Sequence, residues 1–266
     1  YDAFLLAALL RIGAFAAVVG SYYTQSAFAG VLTAMLAGAL CAGIFALLVV
    51  RLRADEIVVA LALNLLIAGL TVFLLRSLFQ VKGVLRDSRI VGLDTIKLPW
   101  LEDVSIIGPF LSGHTSLTYL ALLLVVISHW MMFYHRWGLR VRGVGEQPQA
   151  AQTLGVSAAK IRCTVIIISG MLCALGGAQL ALGNVTLFVE NMSAGRGWIA
   201  VVAVMLGQAH AFAVFLASLL FGFVDSLSFR LQGLGLVAQL TEALPYLITL
   251  ASLIIIAIRR KFKSLR

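Results

Sequence analysis

Charged side chains are scarce in this chain of 266 residues: Asp, Glu, Lys and Arg supply 12%, against about 25% in soluble domains. With 62% hydrophobic residues and a mean hydropathy of +1.05, too little polar surface remains to cover a water-soluble particle. Proline is also rare, at 4 residues, and the 24 glycines show no fixed period, which excludes proline-rich disorder and collagen. The three cysteines, Cys41, Cys163 and Cys173, sit inside apolar runs and imply no disulfide framework. His114, His129, His135 and His210 lack metal-ligand spacing and have no cysteine beside them. No Lys-Ser/Thr pair follows Gly176-Gly177, so these glycines are expected to serve close helix packing rather than phosphate binding. The 20 basic residues outnumber 11 acidic ones, for a net charge of +9. They flank apolar spans, which is the pattern of cytoplasmic membrane loops and not of a nucleic-acid surface. What is left is an all-α polytopic transmembrane helical bundle, read as a single domain over 1–266.

A helix needs about 20 apolar residues to cross the hydrocarbon core. Residues 27–50 carry no charge. The Val, Leu, Ile and Phe residues of Val31–Val50 are worth roughly −3 to −6 kcal/mol of insertion free energy. Further spans are expected at 57–75, 117–134, 163–182 and 243–258. A weaker one, 3–19, is read as broken by Arg11. Residues 198–224 are cut by Gly207-Gln208-Ala209-His210 and read as two short helices, 198–206 and 212–224, forming a broken or re-entrant pair. The chain opens Tyr1-Asp2 without a Met or a basic leader, so its natural N-terminus is expected to lie upstream.

Loop charge sets the expected orientation. The tail 259–266 has five basic residues and no acidic one, and 135–162 has Arg136, Arg140, Arg142, Lys160 and Arg162 against Glu146. The turn after the 27–50 span carries Arg51 and Arg53. By contrast, 80–116 balances Lys82, Arg86, Arg89 and Lys97 against Asp87, Asp94, Glu102 and Asp103. The first three regions are therefore expected in the cytoplasm, C-terminus included, and the fourth outside. The number of spans between them agrees.

The loop Gly145-Glu146-Gln147-Pro148-Gln149-Ala150-Ala151-Gln152-Thr153-Leu154-Gly155-Val156 is the most informative stretch. Pro148 suits a first helical turn, Ala150, Ala151 and Leu154 are placed on one side, and Gly155 is suited to end the helix. By these residues alone it reads either as an interfacial connector or as a small-faced helix for a partner's groove.

Glu146, Pro148, Ala150, Ala151 and Gly155 resemble the coupling loop of ATP-binding-cassette importer permeases, of form GENPEAARALGI, in the branch serving sugars, nucleosides and branched-chain amino acids. Asp55-Glu56-Ile57-Val58 with Ala60-Leu61-Ala62-Leu63-Asn64-Leu65-Leu66 is similar to the GLALNLL span of the nucleoside and simple-sugar subgroup. So are Trp137–Glu146, Gly195-Arg196-Gly197-Trp198-Ile199-Ala200 and Leu220-Phe221-Gly222-Phe223. Gln149 stands where the family often has Glu, and Ala60 where it has Gly. The family's Gly- and Glu-rich segment between its first two spans has no counterpart at Arg11-Ile12, which reads as a deletion or gap.

The resemblance implies a permease subunit in a bacterial-type cytoplasmic membrane, transporting nucleosides or, alternatively, simple sugars. It implies a second permease subunit, with a related but different chain favoured over a second copy. Cytoplasmic ATPase subunits that bind ATP and Mg, and an external solute-binding protein, complete the expected assembly. No cofactor is expected in this chain. Glu146, Pro148, Ala150, Ala151, Leu154 and Gly155 would then couple the spans to the ATPase. Asn64, an amide in mid-span, is read either as lining the substrate path or as bonding a neighbouring helix. Gln179 and Asn184, with Glu190 and Asn191, form either a polar vestibule or a solvated loop, and Arg196 either anchors a helix or snorkels. A secondary transporter would need an ionisable relay within the membrane, and Asn64 is the one clearly polar mid-span residue in this reading.

Overall fold

The computed structural model describes residues 3–96, 113–208 and 210–233. The expected span 243–258 and the basic tail lie outside them. The chain divides into two compact units, Tyr1–Gly197 and Trp198–Arg266. Its helices are α1 (Ala3–Thr24), α2 (Ala27–Ala46, continued by a π-helical turn Leu47–Arg51), α3 (Glu56–Phe79), α4 (Ser116–Phe133), α5 (Arg136–Glu146) and α6 (Pro148–Thr153). They are followed by α7 (Ala158–Ala178, continued by a π-helical turn Gln179–Asn184), α8 (Arg196–Leu206) and α9 (Ala211–Gly233). Six helices among the described residues are long and apolar enough to cross a membrane; α5, α6 and α8 are not. The strands among the described residues have two residues each: β1 (Val84–Leu85) pairs antiparallel with β4 (Phe188–Val189), and β2 (Thr95–Ile96) with β3 (His114–Thr115).

In the first unit α1 packs against α2, α3 and α7. Buried residues make up 61% of its most apolar stretch, against 28% in α2 and in α3, so α1 is the centre of the bundle. Three apolar layers stack along it. Leu5 and Leu9 meet Phe45, Val59, Ala60 and Leu63; Ala8 and Ile12 meet Ile67; and Phe15 and Val18 meet Leu75, Leu175, Leu182 and Phe188. Apolar attraction between helices is weak within lipid, so close backbone approach must hold them together. α7 achieves this with a small-residue stripe: a Cβ on Gly177 would overlap the Leu10 carbonyl oxygen, and one on Gly170 would overlap Ala42. The glycine pair 176–177 thus serves helix packing, as the sequence indicated.

The ends of this unit carry different loops. At one end the Arg51–Asp55 turn shares a cavity with α6 and the start of α7. At the other, β1–β4 pairing, Leu93 N donating to Leu182 O (3.0 Å) and Ser21 bonding Val91 draw the 80–96 loop onto the ends of α1 and α7. The turn and loop assigned to one side by charge therefore lie at one end of the bundle.

Three expectations need correction. Arg11 does not break its span: α1 runs unbroken to Thr24, because the half-buried guanidinium finds a partner, donating from Nη2 to Asn191 Oδ1 at 2.8 Å. Arg11 therefore joins Asn64 as a polar residue within a span. In the second unit the break after Leu206 is present, and Gly207 packs against the Val214 backbone. Its second helix is not short, however. α9 continues to Gly233, since Ser228 returns its hydroxyl to Val224 O (2.9 Å) and the polar residues there do not end the helix. Ala211–Ser228 is long enough to cross a membrane, so the pair is one short and one full-length helix, packed through Ala203, Ala217 and Phe221.

Candidate functional site: a short helix at the basic end

α4 turns into α5 at His135, whose Nδ1 accepts from Trp137 N (3.2 Å). The corner is tight, and a Cβ on Gly138 would overlap the Met131 carbonyl oxygen. Arg142 lies over the Phe133 ring at 4.8 Å, which fixes α5 against the end of α4. Gln147 then leads into α6, with Pro148 in its first turn, where the missing N–H has no intrahelical partner to lose.

Gly155 ends α6 in a left-handed conformation (φ 79°). Gly155 N donates to Gln152 O (2.9 Å) and Val156 N to Ala151 O (3.0 Å), the paired bonds of a Schellman cap. This local geometry is the one the Pro and Gly positions indicated. The expected common face is divided, however. Ala151 is buried against Val144 and Ala158, whereas Ala150 is exposed and Leu154 is 82% exposed. A one-residue step rotates a helix by about 100°, which separates Ala150 from Ala151. Glu146, Ala150, Ala151 and Leu154 nonetheless line one groove of about 590 Å³ with Leu139, Arg140 and Arg142, a basic and apolar surface. Pro148 faces the adjacent cavity toward Arg53 and Glu56.

The polar candidates of the spans are not gathered at one place. Asn64 is half-buried on α3, and its Oδ1 has no hydrogen-bond partner among the described residues. Gln179 begins the π-helical turn of α7, where Oε1 accepts from Thr115 Oγ1 (2.9 Å). It lines an apolar cavity of about 530 Å³ between α4 and α7, of which Asn64 is not a lining residue. Asn184 closes the same turn. Glu190 is tied down, since its Oε1 accepts from Gly83 N (3.1 Å). Arg196 Nη1 donates to Met192 O (3.3 Å) at the entry to α8.

Sequence reasoning overlooked the Arg11–Asn191 pair. The non-helical stretch between α7 and α8 contains four residues of positive φ, namely Thr186, Asn191, Ala194 and Gly195. It runs back along α1: Phe188 meets the Phe15 ring (5.3 Å) and Asn191 meets Arg11, and in the first turn of α8 that follows a Cβ on Gly197 would lie 2.6 Å from Ala3 O. Irregular backbone at membrane depth persists only where protein or water covers it. The available signal was Arg11 itself, because an ionisable residue within a span normally has a dedicated partner.

The family model for the permease component of branched-chain amino acid transport systems matches residues 6–257. The chain is 35% identical over 230 residues to the nucleoside ABC transporter permease protein NupC of Lactococcus lactis, covering 84% of this chain and 72% of that one. It is 32% identical over 260 residues to the guanosine ABC transporter permease protein NupQ of Bacillus subtilis, covering 93% and 81%. A third relative is the putative glucose ABC transporter permease protein TsgC13 of Haloferax volcanii, at 31% identity over 232 residues, covering 86% and 68%. The same two bacteria each have a second permease protein that also matches, NupB and NupP. No solved structure matches. The chain belongs to the branched-chain amino acid type permease family of ABC transporters. It is accordingly a multi-pass membrane protein and a transport subunit.

Proposed function

We propose that this chain forms one half of a nucleoside import path, paired with a second, related permease subunit and driven by separate cytoplasmic ATPase subunits. The pairing is supported by NupC and NupQ each having a second permease in its own organism among the matches. The ATPases bind ATP with Mg and hydrolyse it, and an external solute-binding protein delivers the substrate. The C-terminus and the Arg51 turn face the cytoplasm of a bacterial-type inner membrane.

The observation that carries the coupling assignment is α6: a capped helix with an exposed Leu154, flanked by Arg140 and Arg142, at the end of the bundle that also holds Arg51 and Arg53. ATP acts only through a difference in its interaction with two conformational states. Closure of the ATPases on α6 supplies that difference, and α5 and α7 transmit it to the spans.

The nucleoside reading is tested by uptake of labelled guanosine and of labelled glucose into proteoliposomes holding the reconstituted complex. Guanosine uptake that depends on ATP is expected. Uptake of glucose alone would transfer the assignment to simple sugars, the reading favoured by the Haloferax relative. ATP hydrolysis by this chain purified alone would contradict the division of labour.

A further inference from the structure

A cavity of about 360 Å³ lies at the basic end of the first unit, between the α2–α3 turn and the start of α7, and no step of import requires it. Val49 and Val50 of the π-helical turn, Ile166 of α7 and Ala158–Ala159 give it an apolar floor. Arg53, Arg162, Glu56 and Gln152 supply its polar groups. Two guanidinium groups and one carboxylate leave a surplus of one positive charge. Among the described residues Glu56 makes no ion pair or side-chain hydrogen bond with either arginine.

A further feature favours an anion there. The N-cap residue of α7, Ser157, makes no side-chain bond to the helix, so the first-turn N–H groups of Ala158 and Ala159 lack a side-chain cap. Such groups are natural partners of phosphate oxygens.

The occupant must suit both the charge and the apolar floor. Leu47, Leu52, Ile57 and Val58, which surround the turn, are exposed on the chain's surface at the end of membrane-length helices. A ligand here can place a phosphate among Arg53, Arg162 and the α7 N-terminus while its hydrocarbon runs along Val49, Val50 and Ile166. We propose that this cavity binds the phosphodiester headgroup of an anionic membrane lipid. Basic pockets between helices on the cytoplasmic side have this chemistry. Because Pro148 and Gln152 of α6 form one wall, the lipid would also hold α6 against the bundle and set how readily it moves. That second effect rests on the coupling role proposed for α6, whereas binding does not.

The test uses native mass spectrometry of the purified permease complex from nanodiscs of phosphatidylcholine, with or without phosphatidylglycerol. Phosphatidylglycerol should remain bound to the wild type. Arg53→Gln with Arg162→Gln should weaken retention by about tenfold or more. Arg51→Gln with Arg136→Gln removes equal charge from residues that do not line the cavity, and should change retention little. Ala159→Glu, at an exposed position, should repel the lipid without removing any arginine. Equal loss in both double variants would show general surface attraction and overturn the site, as would no loss in either. Displacement of the lipid by inorganic phosphate alone would identify a free-anion site instead. Loss of the lipid when the ATPase subunits assemble would give the cavity to an acidic protein surface. If binding is confirmed but coupled ATPase activity is the same in both lipid compositions, the site stands and the link to α6 fails.

Discussion

The two ends of the Tyr1–Gly197 unit are built differently. The 80–96 end is cross-tied: β1 pairs with β4, Glu190 and Gly83 exchange bonds, and Ser21 Oγ both donates to Val91 O (2.8 Å) and accepts from Val91 N (2.9 Å). The basic end consists of two short helices, α5 and α6, resting on a small cluster of Val144, Ala151 and Ala158 beside two open cavities. Segments with few buried contacts open at lower free energy than cross-tied ones. By this measure the basic end is the part of the unit that opens at lower cost, and the end where α1, α7 and the 185–195 stretch meet is the more firmly held.

The largest effect is expected where both ends depend on one contact. Gly170→Leu drives a branched side chain into Ala42 and the Gly38 carbonyl on α2, backbone that cannot give way. A loss of about 3 kcal/mol is expected, read as absence of a monodisperse peak in detergent chromatography. A well-behaved variant would mean that the α2–α7 crossing is not close-packed.

Next come substitutions that separate the two sides of α6. Ala150→Arg, on the exposed side, should abolish transport while the melting temperature stays near wild type. Ala151→Arg, directed into Val144 and Ala158, should destabilise the α5–α7 corner as well. Identical stability in the two variants would contradict the divided face. Gly155→Val places a β-branched residue at φ 79° and should cost on the order of 1–2 kcal/mol, with transport lost.

Smaller effects probe the fixed end and the spans. Ser21→Ala removes both bonds to Val91 and should lower stability by about 1–2 kcal/mol, seen in thermal unfolding, with transport retained. Transport loss at unchanged stability would make that end a moving part too. Asn64→Leu removes an amide whose Oδ1 has no partner among the described residues, so assembly should change by less than about 0.6 kcal/mol. Reduced uptake by such a variant would place Asn64 on the substrate path, and a sharp fall in assembled complex would show that it joins helices.

Much of this arrangement was legible in the sequence, because each span is a long apolar run and its loops differ in charge. Pro148 and Gly155 bracket α6 for reasons of backbone geometry that act locally. What was missed depends on contacts between distant segments. Arg11 looks like a break until Asn191, far along the chain, is known to reach it. Ala150 and Ala151 are chemically identical, and only the packing of Val144 and Ala158 decides which is covered. The full length of α9 was hidden because Asp225, Ser226 and Ser228 end the apolar run without ending the helix.

The central claim is that the basic end, through α6, receives the work of the ATPase. The most direct test places single cysteines in a background lacking Cys41, Cys163 and Cys173, one at Leu154 and one at Asp94, in the assembled complex. A short bifunctional maleimide should join the Leu154 cysteine to an ATPase subunit, with a yield that changes on ATP binding, and leave the Asp94 cysteine unlinked. Linkage from Asp94 but not from Leu154 would contradict the account, as would labelling of the Leu154 cysteine in intact cells by an impermeant external thiol reagent.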